Sequence, residues 1–382
     1  MPVVLGTRRN SPLEPNVAKM KITNVETHLL RLPVSSGAEH ASGPTEWPTF
    51  DYVLVRIDTD TGPSGWGDGF GYWVPQATRA VIDHTFAPRL IGRDARDISG
   101  ISQSLQREFH LSGRYGITMF AISAIDIALW DIAGKDAGLP LHRLLGGARR
   151  SEIPAYASLF RYGHPERVAE RTRHASQAGF GQIKLHEVTA EAVAAARDAA
   201  GGDVPLMLDT NCPWTPAQAQ NMIEQLRDYK LHWLEEPIFP PEDFASLARL
   251  QSATGMSLAA GENCCTAFQF KAMFEAGAVT YAQPSVTKVG GITEMLKVIA
   301  LAEAYGISLV PHCPYFGPGL LASLHLLGTM GDDVYAEFLY YDSLEASPYG
   351  DAIVPVTGIM KVPQMPGLGM DPDPHVLADY GV

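Results

Sequence analysis

Two rhythms of apolar and polar positions divide this chain. From Met20 to about Ile57 the apolar residues follow a strand period, alternating around Thr27, Leu29 and Arg31 and then running through Asp51-Tyr52-Val53-Leu54-Val55-Arg56-Ile57. A loop over 35–50, rich in Ser, Gly, Pro and Thr, interrupts them and carries His40 and Trp47. Next comes Gly65-Trp66-Gly67-Asp68-Gly69-Phe70-Gly71-Tyr72-Trp73. Its glycine spacing is not that of a dinucleotide loop and no strand-to-helix transition follows, so it reads as a turn or flexible lid. Helices are expected at about 75–90, 97–111 and 117–137. In the last, Phe120, Ala124, Ile127, Ala128 and Ile132 recur at three- and four-residue steps and form an apolar face. Gly138, Pro140 and Gly146-Gly147 end it.

From about Ser151 short apolar runs alternate with helical text. The runs end near Ser158, His186, Asn211, Glu236, Asn263, Ser285, His312 and Tyr341, at intervals of roughly 25 residues, the size of one strand-plus-helix unit. Eight such units predict an α/β fold, a (β/α)8 barrel. The strands and helices before it form an α+β capping domain. The expected division is an N-terminal extension at 1–19, the capping domain at 20–147, the barrel at 148–345, and a Pro- and Gly-rich tail at 346–382 that returns to the capping domain.

Chemistry enters where the runs stop. Leu231-His232-Trp233-Leu234 ends on Glu235-Glu236-Pro237, Pro205-Leu206-Met207-Leu208 ends on Asp209, and Met256-Ser257-Leu258-Ala259-Ala260 ends on Gly261-Glu262. Taken singly, each is a buried strand running out into a polar turn. Three in succession are hard to explain by packing, because the carboxyl ends of barrel strands share one face. Successive strand residues point opposite ways, so Glu235 is expected at the site and Glu236 away from it. Three hard oxygen donors, Asp209, Glu235 and Glu262, suit Mg²⁺ better than zinc. Cys212, Cys264 and Cys313 lie beside strand ends but need no metal to explain them. The second run brings Lys184 and His186 to one strand face, the seventh brings His312, and the eighth brings Glu337. A lone strand-end histidine is usually structural, but two flanking an acidic triad point to proton transfer.

Composition narrows the remaining classes. The 382 residues carry a formal charge of −13 and 46% hydrophobic residues. No basic stripe offers itself to nucleic acid, and no apolar run approaches the ~20 residues of a membrane span. Four cysteines do not make a disulfide scaffold. Arg8-Arg9 is followed by no hydrophobic region, so no export signal is read and a cytoplasmic location is expected. The expected partners are a small carboxylate substrate and further copies of the chain in a homo-oligomer, with neither nucleic acid nor membrane.

From Met20 onward the chain resembles the enolase superfamily, in the branch of mandelate racemase and muconate lactonizing enzymes. The resemblance rests on Ser123-Ala124-Ile125-Asp126-Ile127-Ala128-Leu129-Trp130-Asp131, Pro140, Leu144-Leu145-Gly146-Gly147, the three acid-bearing strand ends, and Lys288-Val289-Gly290-Gly291-Ile292-Thr293. It implies a lidded barrel holding Mg²⁺ on Asp209, Glu235 and Glu262, with Asn211, Ser285 and Lys288 in support. It also implies Lys184, His186, His312 and Glu337 as catalytic groups, and removal of a proton beside a carboxylate through a metal-stabilised enediolate. Two positions depart from the family pattern. His186 replaces the second lysine of Lys-x-Lys, and Ser285 replaces the Asp or Lys of the sixth strand, so His312 lacks its usual carboxylate partner. The first reading is a Mg²⁺-dependent dehydratase of a sugar acid. The alternatives are a racemase or epimerase of a 2-hydroxy acid and a non-catalytic carboxylate-binding barrel. Specificity is assigned to His40, Trp47 and Tyr72.

Overall fold

A computed structural model of the chain describes residues 19–36, 49–331 and 334–382. His40 and Trp47 therefore lie outside the described residues. The capping layer begins with an antiparallel meander of β1 (Ile22–Ser35), β2 (Thr49–Thr59) and β3 (Ser64–Gly69). The third strand corrects the lid expected over Gly65–Gly69. Its glycines alternate with Trp66 and Asp68, so one strand face carries no side chains. The helix Ile117–Ala137 lies directly on that face: a Cβ at Gly65 would fall 2.1 Å from the Ala128 carbonyl oxygen, and one at Gly67 2.0 Å from that of Ala124. The period-2 glycines and the i, i+4 ridge of the helix are two halves of one contact.

This helix also revises the membrane argument, since it is long and apolar enough to cross a bilayer by length and composition. Here it is the central core helix, buried along most of its length. Its polar residues tie the capping layer to the rest of the fold. Asp131 accepts from the backbone N–H groups of Trp66 (2.9 Å) and Leu368 (2.7 Å), and Asp126 from that of Thr293 (2.9 Å). Ser123 Oγ accepts from the N–H groups of Gly290 and Gly291, 167 and 168 residues away in sequence.

The barrel strands are β4 (Glu152–Ser158), β5 (Ile183–Leu185), β6 (Leu206–Asp209), β7 (Leu234–Glu235), β8 (Leu258–Ala260), β9 (Tyr281–Ala282), β10 (Ser308–Leu309) and β11 (Ala336–Leu339). They pair in parallel and in sequence order from β4 to β10, and β11 returns beside β4. Among the described residues no ladder joins β10 to β11. There Glu337 N–H donates to Cys313 Sγ at 3.3 Å. Inward-facing Tyr156, Met207, Trp233, Ala259 and Val310 form a cluster of their own inside the barrel. In the tail, β12 (Ser343–Leu344) joins the edge of β1 and β13 (Ile359–Lys361) pairs with β4. The last residue, Val382, donates its N–H to the Leu29 carbonyl at 2.9 Å.

Candidate active site

Asp209 and Glu235 are the last residues of β6 and β7, and Glu262 follows β8 by two. Each offers a carboxylate oxygen, and these lie within 4.8 Å of one another. Asn211 steadies Asp209, its backbone and side-chain N–H groups both donating to Oδ1 (2.9 and 3.0 Å). From the barrel interior, Trp233 Nε1 donates to Glu235 Oε2 at 3.0 Å. Above the triad opens a cavity of about 580 Å³. His186, Glu236, Glu262, His312 and Glu337 line its floor, and Tyr72 and Trp73 reach it from the capping layer. The Tyr72 hydroxyl donates to the Pro314 carbonyl at 3.3 Å.

Lys184 is fully buried and does not line the cavity. Its ammonium donates to Glu337 (2.7 Å), Glu235 (2.9 Å) and Asp209 (3.4 Å). Burial opposes its charge, but Glu235 and Glu337 hold it well above the ordinary lysine range. Burial likewise raises every carboxyl here, and neighbouring basic side chains decide which stay low. Lys184 and His186 outweigh burial at Asp209, and His312 and Lys288 outweigh it at Glu262. Glu337 is held low by Lys184. Glu235 is pushed well up, by burial and then by Asp209. Lys184 and the histidines thus relieve only part of the repulsion inside the triad, and Glu235 carries what remains. A divalent, oxygen-preferring cation would remove that repulsion, so the residues fit Mg²⁺.

The two histidines attach to the two ends of the triad. His186 Nε2 is 3.2 Å from Asp209 Oδ2, and His312 Nε2 is 2.9 Å from Glu262 Oε2. Behind them their surroundings differ. His186 Nδ1 lies 2.5 Å from the Leu159 carbonyl. His312 Nδ1 lies 3.0 Å from the Tyr315 hydroxyl, which is in turn hydrogen-bonded to Ser285. His312 therefore has a side-chain partner after all, supplied three residues downstream rather than by position 285. Lys288 is buried, 3.6 Å from Glu262 and stacked over the Phe70 ring.

The expectation that Glu236 turns away from the site is corrected. Its φ of 44° breaks the strand alternation at that residue, and Glu236 lines the same cavity as Glu262. Asn263 Nδ2 donates to both its oxygens (2.8 and 3.0 Å), and burial followed by Glu262 pushes its carboxyl up to about 8. Sequence reasoning also missed Arg161, three residues past the end of β4. Its guanidinium donates to the carbonyls of His186 and Thr210 and to Asn211 Oδ1, and it too lines the cavity. The rule that loops after barrel strands carry function would have found it, had the search covered the loop after the first strand.

Comparison with known proteins agrees with this geometry. Residues 33–146 match the mandelate racemase/muconate lactonizing enzyme N-terminal domain, and residues 167–376 match the enolase C-terminal domain-like family. The D-galactarolactone cycloisomerase of Agrobacterium fabrum is 30% identical, over 94% of this chain and 99% of its own. The D-galactonate dehydratase of Ralstonia nicotianae is 32% identical, over 93% of this chain and 92% of its own. The mandelate racemase/muconate lactonizing protein from Paracoccus denitrificans, solved in complex with magnesium, superposes with a TM-score of 0.80 at 26% identity, covering 95% of this chain and 98% of that one. Two domain matches spanning both parts of the fold, and full-length relatives at this identity, make the chain a member of the enolase superfamily, in its mandelate racemase/muconate lactonizing enzyme branch.

Proposed function

We propose that this chain dehydrates a sugar acid, removing the proton at C2 and expelling the 3-hydroxyl, with Mg²⁺ held by Asp209, Glu235 and Glu262. The observation that carries this reading is one cavity that His186, His312 and Glu262 line together, Glu262 being one of three carboxylates whose oxygens lie within 4.8 Å of one another. When bound, the cation supplies positive charge against the negative charge that builds up on the substrate carboxylate as the proton leaves. The remaining work belongs to the side chains. One histidine accepts the C2 proton, the other gives a proton to the departing oxygen, and the enol that results ketonises by taking a proton at C3. Lys184, locked among three carboxylates, acts as a fixed charge rather than as a base.

The relatives named as D-galactonate dehydratase support the lyase reading. A second reading, ring-opening isomerisation of a sugar-acid lactone, draws support from the D-galactarolactone cycloisomerase and uses the same proton transfers. The test is incubation with a panel of sugar acids, sugar-acid lactones and 2-hydroxy acids in D₂O with Mg²⁺, following deuterium at C2 and release of 2-keto acid. Keto acid from an open-chain acid supports dehydration, and product from a lactone alone supports the isomerase. Absence of both exchange and product across the panel, with bound Mg²⁺ demonstrated, would sink both.

A further inference from the structure

Among the described residues lining the cavity, Arg161 is the only lysine or arginine. Three acceptors hold its guanidinium, and all are neutral. Nε donates to the His186 carbonyl at 2.6 Å, and Nη2 to the Thr210 carbonyl at 3.2 Å and to Asn211 Oδ1 at 3.0 Å. These contacts tie strand ends together, a structural role that uses Nε and both N–H groups of Nη2. The pair on Nη1 has no acceptor among the described residues, and no carboxylate there balances the charge. Glu187, beside His186 in the chain, does not serve: it is buried, and its oxygens accept from the N–H groups of Tyr162 and Gly163. The anchors of Arg161 also set its height. Asp209 is the last residue of β6, whereas Thr210 and Asn211 follow it, and His186 follows the end of β5. The guanidinium therefore stands a step beyond the triad, toward the mouth of the cavity.

We propose that Arg161 is a specificity-determining residue and that the substrate is a dicarboxylic sugar acid. One carboxylate goes to the cation site, and the far one accepts a charge-assisted hydrogen bond from Arg161 Nη1. The other ionisable groups named on the wall are the carboxyls of Glu236, Glu262 and Glu337 and the two imidazoles. A second anion on the substrate is therefore drawn to Arg161 and repelled elsewhere. A monoanionic carboxylate matches one guanidinium. A phosphate dianion would meet too little positive charge among so many acids, so the carboxylate is favoured. This rests on the sugar-acid reading and narrows it to a substrate class, because a monoacid with a terminal alcohol leaves the Nη1 charge unmatched.

The test is calorimetric titration of the full chain, loaded with Mg²⁺, with every stereoisomeric six-carbon sugar diacid. Each is paired with the monoacid that carries CH₂OH in place of the second carboxylate, and with that monoacid phosphorylated on the terminal oxygen. At least one diacid should bind about tenfold or more tighter than its monoacid, the worth of one charge-assisted hydrogen bond, and the preference should shrink as salt is raised. No diacid preferred over its monoacid overturns the proposal, and a phosphorylated monoacid bound tighter than every diacid overturns the choice of carboxylate. Arg161→Gln should abolish the preference while monoacid and Mg²⁺ affinities change by about threefold or less. Arg161→Lys, which keeps the charge but not the planar fork, should keep part of it. Equal loss of diacid and monoacid binding, or a preference that survives Arg161→Gln, would leave Arg161 with the structural role alone. The native chain by itself decides the first comparison, so a variant that fails to fold does not block the test. Binding is read without turnover. A diacid preference with no keto acid formed would sink dehydration and keep this inference, and keto acid formed without a diacid preference would do the reverse.

Discussion

Single residues decide the electrostatics of the site. Glu235 bridges Lys184 and Trp233 beneath the cavity and is the least readily ionised of the triad, so it gains most from a bound cation. Glu235→Gln should therefore reduce Mg²⁺ affinity by more than the roughly 10–100-fold typical of a supporting partner, as read by calorimetric titration. Glu236 differs because burial and the neighbouring Glu262 and Asp209 carboxylates outweigh Lys288 and Asn263 there. Its folded value of about 8 lies above the ordinary 4.5, so the native chain holds a proton there that the unfolded chain releases. The stability it contributes is complete below that ordinary value and is lost as pH rises toward 8. Glu236→Gln removes this titration, so the melting temperature of the metal-free variant relative to the native chain should climb as pH increases over that window. A difference independent of pH would refute the assignment. The positive φ that brings Glu236 into the cavity could not be read from Glu-Glu-Pro, because strand alternation predicts the opposite face.

At the scale of elements, the strand β3 and the helix Ile117–Ala137 show how much one contact holds. The three glycines at 65, 67 and 69 leave room for helix backbone, and the same helix then fastens the start of the helix Gly291–Tyr305 through Ser123 and Asp126. Gly67→Ala places a Cβ 2.0 Å from the Ala124 carbonyl oxygen, a backbone atom that cannot swing aside. The expected cost is about 1–3 kcal/mol or more, seen as a lower thermal midpoint, whereas Gly62→Ala, in open space, should cost only what its φ of 115° imposes. The glycine pattern is visible in the sequence, where it reads as a turn or flexible lid. Period-2 glycines have meaning only once the partner that needs their empty face is known.

For the whole molecule, the capping layer meets the barrel at the mouth of the cavity, where Tyr72 reaches Pro314 in the loop that also carries His312 and Tyr315. Tyr72→Phe should change KM by about fivefold, the worth of one hydrogen bond of roughly 1 kcal/mol, and leave Mg²⁺ affinity unchanged. Kinetics across several sugar acids alongside a metal titration would check this, and a matching loss in both would place Tyr72 in the metal site instead. The division between what the chain announces and what folding decides follows from range. The eight strand ends, the triad Asp209, Glu235 and Glu262, and the facing histidines were legible in the sequence because each rests on local periodicity plus one rule of barrel geometry. Three things depended on tertiary structure: the burial of Lys184 among three carboxylates, the turn of Glu236 into the cavity, and the partnership of Tyr315 with His312 and Ser285. Each is a matter of side-chain direction or of contact between separate strand ends. No sequence period encodes these, because they are set when the strands close side by side and the capping layer settles on top.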